Sequence, residues 1–392
     1  MVVLPWSEPV KREALRVRCL REIDYSIVHP SRPVLDLVEP ALRDAVAGRP
    51  VLIVCDKNVW RSFGEQIAAY AERHLQCLGK ITVHGSEQRK EWSQIRNICS
   101  AGLRAGLPRN GVIIAFGGGV TLDLAGMAAS LYRRGISYIR VPTTLVGIVD
   151  TAIGIKQGFN FKSRKNLLGT FYPPDCVIND ASLLRTLAAA EISCGLAEII
   201  KIAVVRDPVL VDLLVENVEV LLASKFQSPA NLAMQILLRA EQAMLEELQP
   251  NLFETCKARL ADFGHTFSPG LERASKYELR HGEAVALDML LSTALAVRRG
   301  LCPESLFDRL ARLHRASALP LSSPLMTLEL LLCCAQEARL HRSGDLNLVV
   351  PTDFGRATYL QEITREDLEY GLAMTKEAAH EPTLCRRASA GL

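Results

Sequence analysis

No stretch of this 392-residue chain approaches the roughly 20 consecutive apolar residues of a membrane span, which excludes a helical membrane protein. No C-x-x-C pair occurs among its eleven cysteines (Cys19, Cys55, Cys77, Cys99, Cys176, Cys194, Cys256, Cys302, Cys333, Cys334 and Cys385). Their scatter argues against zinc–thiolate chemistry, and an odd count suits reduced thiols in a cytoplasm. Net charge is nearly lacking too: 46 Lys+Arg against 43 Asp+Glu leaves +3. That is too little to make nucleic acid or an anionic membrane the main partner, although local basic clusters can still hold a small phosphorylated ligand. The opening "MVVLPWSEPVKREALR" reaches charge and proline too soon for a secretory signal, so a cytoplasmic location is expected. With only eight histidines and no thiolate set, any metal would use histidine and carboxylate.

What is present is a core-building composition. Hydrophobic residues make up 49% and charged residues 23%, and the length suits two domains. The first half alternates apolar runs, "PVLIVCD" (50–56), "KITVHG" (80–85), "GVIIAFGGG" (111–119) and "SYIRVPTT" (137–144), with stretches of helical spacing. That alternation predicts parallel βαβ units and a Rossmann-like sheet, to which "DYSIV" (24–28) adds a strand at an edge or in a hairpin. After about residue 180 the apolar residues fall at three- and four-residue spacing, and strand signals are nearly absent until "DLNLVVP" (345–351). The expected fold class is therefore an α/β N-terminal Rossmann-like domain (1–180) plus an all-α C-terminal domain (181–375), with a frayed tail (376–392). The crevice between the halves is the natural ligand site.

Five features carry chemistry. In "FGGGVTLDLAG" (116–126), Gly117, Gly118 and Gly119 follow a strand and open a helix. Such a cluster is either a tight turn or a phosphate cradle at a helix N-terminus. Asp56 ends an earlier strand, where it serves either as a helix N-cap or as an acceptor for a ribose hydroxyl. The run 141–174, with Thr143, Thr144, Asp150, Lys156, Asn160, Lys165 and Asn166 among glycines, fits no period. It reads as a long ordered loop, either solvated or suited to a phosphorylated polyol. Glu198 and Lys201 share a helix face, either as a surface ion pair or, given apolar Leu196, Ala197, Ile199 and Ile200, as groups turned into a buried site. His265 and His281, each beside a glycine, are either polar residues at helix ends or metal ligands. With Glu198 they would make a two-His, one-carboxylate set that suits Zn²⁺ with an open position.

Together, "GGGVTLDLAG", "YRRG", "VPTTL", "GLAEIIK", "FGHT" and "HGEAV" resemble the sugar-phosphate cyclase superfamily, of which 3-dehydroquinate synthase is a member, in order and spacing from about residue 50 to about 355. The resemblance implies the dehydroquinate synthase-like fold, a tightly held NAD, a Zn²⁺ or Co²⁺ ion and a homodimer. It assigns Asp56, Glu87, Lys90, Gly117, Gly118, Gly119, Val120, Asp123, Thr143, Thr144 and Lys165 to NAD, and Glu198, His265 and His281 to the metal. Asp150, Lys156, Lys165, Asn166 and Lys201 fall around substrate and nicotinamide. Arg134, in "YRRG", would reach the neighbouring subunit's site.

Departures from the dehydroquinate synthase pattern point to a branch. Asp262 and Pro269 stand where those enzymes carry Asn and His, and Met244 and Ala258 stand where they carry the cations that grip a substrate carboxylate, with Arg259 next to the second. A negative Asp262 would repel that carboxylate. "ELQPNLFE", "DFGHTFSP", "GIKQGFNF" and "KNLLGTFYPP" look like the branch that cyclises sedoheptulose 7-phosphate, and are similar to the 2-epi-5-epi-valiolone synthases. His341 falls where the dehydroquinate branch has a late lysine. The implied reaction oxidises C5, eliminates phosphate from C7, returns the hydride and closes the ring by aldol addition. The alternatives from the same heptulose are 2-epi-valiolone and desmethyl-4-deoxygadusol. More distant ones are dehydroquinate synthesis, a metal-dependent polyol dehydrogenase or an inactive NAD-binding regulator.

Overall fold

A computed structural model describes residues 16–20, 22–162 and 164–380. Its first half runs β1 (Ser26–Val28), α1 (Ala41–Val46), β2 (Val51–Asp56), α2 (Lys57–His74), β3 (Cys77–Val83) and α3 (Trp92–Arg104). It continues through β4 (Val112–Gly117), α4 (Gly119–Leu131), β5 (Ser137–Pro142), β6 (Lys156–Phe161), β7 (Arg164–Phe171) and β8 (Cys176–Ile178). Six of these strands form a parallel sheet in the order β1-β8-β5-β4-β2-β3. "VLIVCD" and "VIIAFG" are buried along their whole length, as parallel strands covered on both faces must be. Alternate residues feed two cores. Leu52, Val54, Ile113 and Ala115 pack with α3 and α4, while Val51, Ile53, Val112 and Ile114 pack with α1 and α2.

The second half holds α5 (Ala189–Arg206), α6 (Pro208–Ser224), α7 (Ala230–Leu248), α8 (Ser268–Ala274), α9 (His281–Arg298) and α10 (Glu304–Ala316). It ends with α11 (Leu328–His341), β9 (Leu348–Asp353), β10 (Arg356–Leu360) and α12 (Arg365–His380). α5 and α9 are apolar on nearly every face and lie buried against each other, the behaviour of helices at the centre of a bundle.

Three expectations change. The 141–174 run is not a loop: it folds into a π-helical turn, Gly147–Thr151, and the antiparallel β6–β7 hairpin. Glycines 158 and 169, paired across that hairpin, interrupt the apolar alternation that would have marked it. The helical half is not purely helical, because β9 pairs with β10. The expected frayed tail begins too early: residues 376–380 are the last turn of α12, with Ala378 buried. The rest of that segment lies outside the described residues. "DYSIV" does supply an edge strand, parallel to β8.

Candidate active site and metal centre

Two glycines explain how the histidines meet the carboxylate. A Cβ on Gly282 would stand 2.3 Å from the Cα of Cys194, so only glycine lets the first turn of α9 rest on α5. This close approach puts His281, the first residue of α9, over Glu198, one turn further along α5. Gly264 has φ +75°, and a Cβ there would meet Met289 and Val285 of α9 at 2.8 and 2.9 Å. It makes the left-handed turn that delivers His265. Asp288 of α9 then pins the following segment by accepting from the backbone N–H groups of Phe267 and Ser268.

The three ligand atoms lie within 4.8 Å of one another. Nε2 of His281 is 3.1 Å from Oε1 of Glu198, and Nε2 of His265 is 3.9 Å from the same oxygen. Nδ1 of His265 faces the carbonyl of Phe263 at 3.0 Å, and Nδ1 of His281 faces Oε1 of Glu272 at 3.0 Å. Each ring thus spends Nδ1 on an oriented acceptor and turns Nε2 inward, the arrangement that fixes histidine ligands of metals. Glu198 is fully buried and neither oxygen accepts a well-directed hydrogen bond, although Nζ of Lys201 approaches Oε2 to 2.6 Å. A buried carboxylate so placed calls for a cation. The donor set fits a divalent metal.

The electrostatics set the two histidines apart. Burial pushes the His265 imidazole down to about 4, helped by the Lys201 charge, so it is neutral near pH 7. Burial works against a charged His281, yet the neighbouring Glu198 and Glu272 carboxylates prevail and hold it up at about 9, so a metal there would displace its proton. Burial also opposes the charge on Glu198, but Lys201 and the two histidines hold it well below the usual carboxylate range. Lys201 keeps its proton despite burial because Glu198 and Asp150 face it.

Other predicted residues gather around this centre. Asp150, in the π-helical turn, lies 3.5 Å from Nζ of Lys201. On the hairpin, Lys156 pairs with Glu254 at 2.7 Å and Lys165 with Glu272 at 2.7 Å. Asn166 accepts from Lys90, which also pairs with Asp123, and Glu87 accepts from Asn160. Glu87, Lys90, Asp123 and Asn166 therefore form one network across the hairpin.

The glycine turn is a cradle. Cβ atoms on Gly117, Gly118 and Gly119 would fall 2.5, 2.8 and 3.0 Å from Thr121, Thr144 and Thr151. The turn has no room for side chains, and its backbone opens onto the start of α4, where Val120 is the second residue. Thr143 donates its N–H to the carbonyl of Gly117 at 2.9 Å, and its buried Oγ1 has no partner among the described residues. Thr144 Oγ1 accepts from Gly147 N. An orphaned hydroxyl beside a bare helix N-terminus fits the pyrophosphate of a dinucleotide. Asp56 caps α2, with Oδ1 accepting from Asn58 and Val59; Oδ2 takes no part in the cap.

Two residues, His341 and Asp262, depart from expectation. His341 ends α11 exposed, without a side-chain hydrogen bond or ion pair among the described residues. Its neighbour Arg342 is the buried one, donating to Thr266 Oγ1 and to the carbonyl of Leu346. Asp262 is not a bare negative charge, because Arg259 and Arg342 flank it. Arg259 also pairs with Glu254, so a cation does stand beside position 258, already engaged. Arg134 is exposed and shares no hydrogen bond or ion pair with this network among the described residues. Sequence reasoning passed over Glu272 and Arg342. Its place directly after His341 was the only signal for the second.

Comparison with known proteins agrees with this geometry. Residues 80–194 match the 3-dehydroquinate synthase N-terminal family, and residues 195–338 match the 3-dehydroquinate synthase C-terminal family. The chain is 39% identical over 378 residues to a 2-epi-5-epi-valiolone synthase of Streptomyces hygroscopicus subsp. jinggangensis (strain 5008), covering 94% of this chain and 91% of that one. A 2-epi-5-epi-valiolone synthase structure from strain 5008 of that subspecies, with NAD⁺ and Zn²⁺ bound, superimposes with a TM-score of 0.88 at 40% identity, over 93% of this chain and 99% of that one. A 2-deoxy-scyllo-inosose synthase complexed with carbaglucose-6-phosphate, NAD⁺ and Co²⁺ gives a TM-score of 0.74 at 25% identity, over 88% and 96%. This chain is an enzyme of the 3-dehydroquinate synthase family, a sugar-phosphate cyclase.

Proposed function

We propose that the enzyme converts sedoheptulose 7-phosphate to 2-epi-5-epi-valiolone with release of phosphate. The observation that carries this reading is the Glu198–His265–His281 trio, built around a buried carboxylate with two partly exposed histidines, in a chain that aligns with a 2-epi-5-epi-valiolone synthase over 94% of its length. Glu198, His265 and His281 would hold Zn²⁺ or Co²⁺, which when bound polarises hydroxyl oxygens and favours alkoxide. The Gly117–Gly119 cradle, with Asp56, Glu87, Lys90, Asp123, Thr143 and Thr144, would hold NAD, which when bound supplies a transient hydride acceptor.

The chain's own residues position and neutralise. Lys201, protonated and buried between Glu198 and Asp150, places a fixed positive charge where negative charge develops on the C5 oxygen. Asp150 orients the neighbouring hydroxyl. Lys156, Lys165 and Asn166, all on the hairpin, offer two ammonium groups and an amide to the phosphate, as a sugar phosphate requires. Oxidation at C5 acidifies the C6 proton, and an oxygen of the departing phosphate takes that proton as the C7–O bond breaks. After the hydride returns, the ring opens and C7 attacks the C2 ketone, so the turnover shows no net redox. The working unit in this reading is a homodimer in which Arg134 completes the partner's site. No helix among the described residues is long and apolar enough to cross a membrane.

Kinetics on two substrates test the reading. Sedoheptulose 7-phosphate should turn over with a kcat/KM orders of magnitude above that of the carboxylated precursor of dehydroquinate. Comparable values would return the protein to the dehydroquinate synthases.

A further inference from the structure

Glu272, on α8, has no part in the proposed chemistry, yet it is only 4% exposed and both its oxygens are engaged. Oε1 meets Nδ1 of His281 at 3.0 Å, and Oε2 accepts from Nζ of Lys165 at 2.7 Å. His281 opens α9 in the helical half, whereas Lys165 lies in β7, on the hairpin carried by the sheet half. One buried carboxylate therefore joins a candidate metal ligand to a strand 107 residues away in sequence.

The next hairpin residue is tied the opposite way. Successive side chains of a strand point to opposite faces, and Asn166 accepts from Lys90 at 2.7 Å while its N–H donates to Oδ1 of Asn160. Asn160 in turn donates to Oε1 of Glu87 at 2.9 Å. The hairpin thus stands between the Glu87–Lys90 segment and Glu272.

We infer that Glu272 is a positioning residue that orients His281 and, through Lys165, couples the β6–β7 hairpin to the metal centre; this rests on the reading of Glu198, His265 and His281 as ligands. A metal that fixes Nε2 of His281 also fixes the direction of Nδ1, and hence of Glu272. A buried carboxylate gives up a partner only at a cost, so Glu272 fixed on one side holds Lys165 on the other. The coupling is reciprocal: whatever locks the hairpin also favours metal binding.

The full-length protein is tested with Zn²⁺ alone. The readouts are affinity by chelator competition and hydrogen–deuterium exchange of the β6 and β7 amides with and without saturating Zn²⁺. In the wild type, Zn²⁺ slows hairpin exchange several-fold. Glu272→Gln still offers an acceptor to His281 but nothing to an ammonium group, so Zn²⁺ binds and no longer slows the hairpin. Lys165→Met, at a partly exposed position, gives the same uncoupling with near-wild-type metal affinity. Glu272→Ala loses both functions, and Zn²⁺ affinity falls about 10–100-fold. Wild-type slowing of the hairpin by Zn²⁺ in Glu272→Gln or Lys165→Met, or unchanged affinity in Glu272→Ala, overturns the inference. A wild type that binds no Zn²⁺ overturns the ligand reading and the inference together. A wild type that binds Zn²⁺ with no effect on the hairpin overturns the inference alone.

Discussion

Asp262 sits between two arginines: Nη2 of Arg259 lies 2.5 Å from its Oδ1, and Nη2 of Arg342 lies 3.6 Å from its Oδ2. Burial opposes its charge, but these guanidinium groups hold the carboxyl below its usual range. Both arginines beside Asp262 are therefore already paired, so neither is a free partner for a substrate carboxylate. In the proposed function, this pairing replaces simple repulsion by Asp262 as the physical basis for preferring a hydroxymethyl ketose. Asp262→Asn should relieve both arginines of their shared carboxylate, leaving Arg259 with Glu254 and Arg342 with Thr266 and the Leu346 carbonyl, and raise the kcat/KM ratio of the carboxylated precursor to sedoheptulose 7-phosphate by about tenfold or more. An unmoved ratio in a folded variant would rule out this account of selectivity.

The Lys201–Glu198 pair is buried on both sides, at 2% and 0% side-chain exposure. Glu198→Gln leaves Lys201 with Asp150 alone, and in metal-free protein the loss should be about 3–5 kcal/mol, the usual cost of breaking a buried pair. Adding Lys201→Met should recover most of it, because it removes the buried charge that Glu198→Gln left without its partner. Urea unfolding of the two variants and the wild type measures this cycle. Equal stability of the single and double variants would contradict it.

His314 on α10 is fully buried, and neither ring nitrogen has a hydrogen-bond partner among the described residues. Burial pushes it down from 6.5 to about 3. Between those values the unfolded chain binds a proton that the folded protein refuses, so stability falls as pH falls. The slope is about 1.4 kcal/mol per pH unit below 6.5. His314→Leu should remove this contribution, leaving stability at pH 7.5 near the wild-type value and flattening its decline toward pH 5. Parallel declines in denaturant titrations would show that His314 titrates normally.

Arg134 is exposed, and in the homodimer proposed above it completes the partner's site. Mixing Arg134→Ala with Glu198→Ala protein should restore part of the activity, since exchanged dimers contain one site with both residues intact. Verified subunit exchange without recovery would place Arg134 outside the partner's site.

Much of this architecture was legible in the sequence, for physical reasons. β2 and β4 read directly because strands buried on both faces are continuous apolar runs, and α6, α7, α9 and α10 because their apolar positions keep helical spacing. β8 has only three residues, too few to show a period. The β6–β7 hairpin was hidden because exposed lysines and paired glycines replace the alternation a half-buried strand would display. Among site residues, the trio stood out because two scarce histidines flank glycines. Glu272 and Arg342 did not, because a charged residue on a helix or at its end reads as solvated until packing shows it buried. The arginines that neutralise Asp262 come from the segment before it and from the end of α11, a meeting that only the tertiary fold reveals.

The most direct measurement is the product itself. The purified enzyme, supplied with NAD⁺, Zn²⁺ or Co²⁺ and sedoheptulose 7-phosphate, is followed by NMR together with phosphate and NADH assays. The account predicts one equivalent of phosphate, no net NADH, and 2-epi-5-epi-valiolone as the carbocycle. Net NADH with the phosphate ester intact would instead mark a polyol dehydrogenase. A phosphate-free ring of different stereochemistry or oxidation level would keep the cyclase and contradict the product assigned to it.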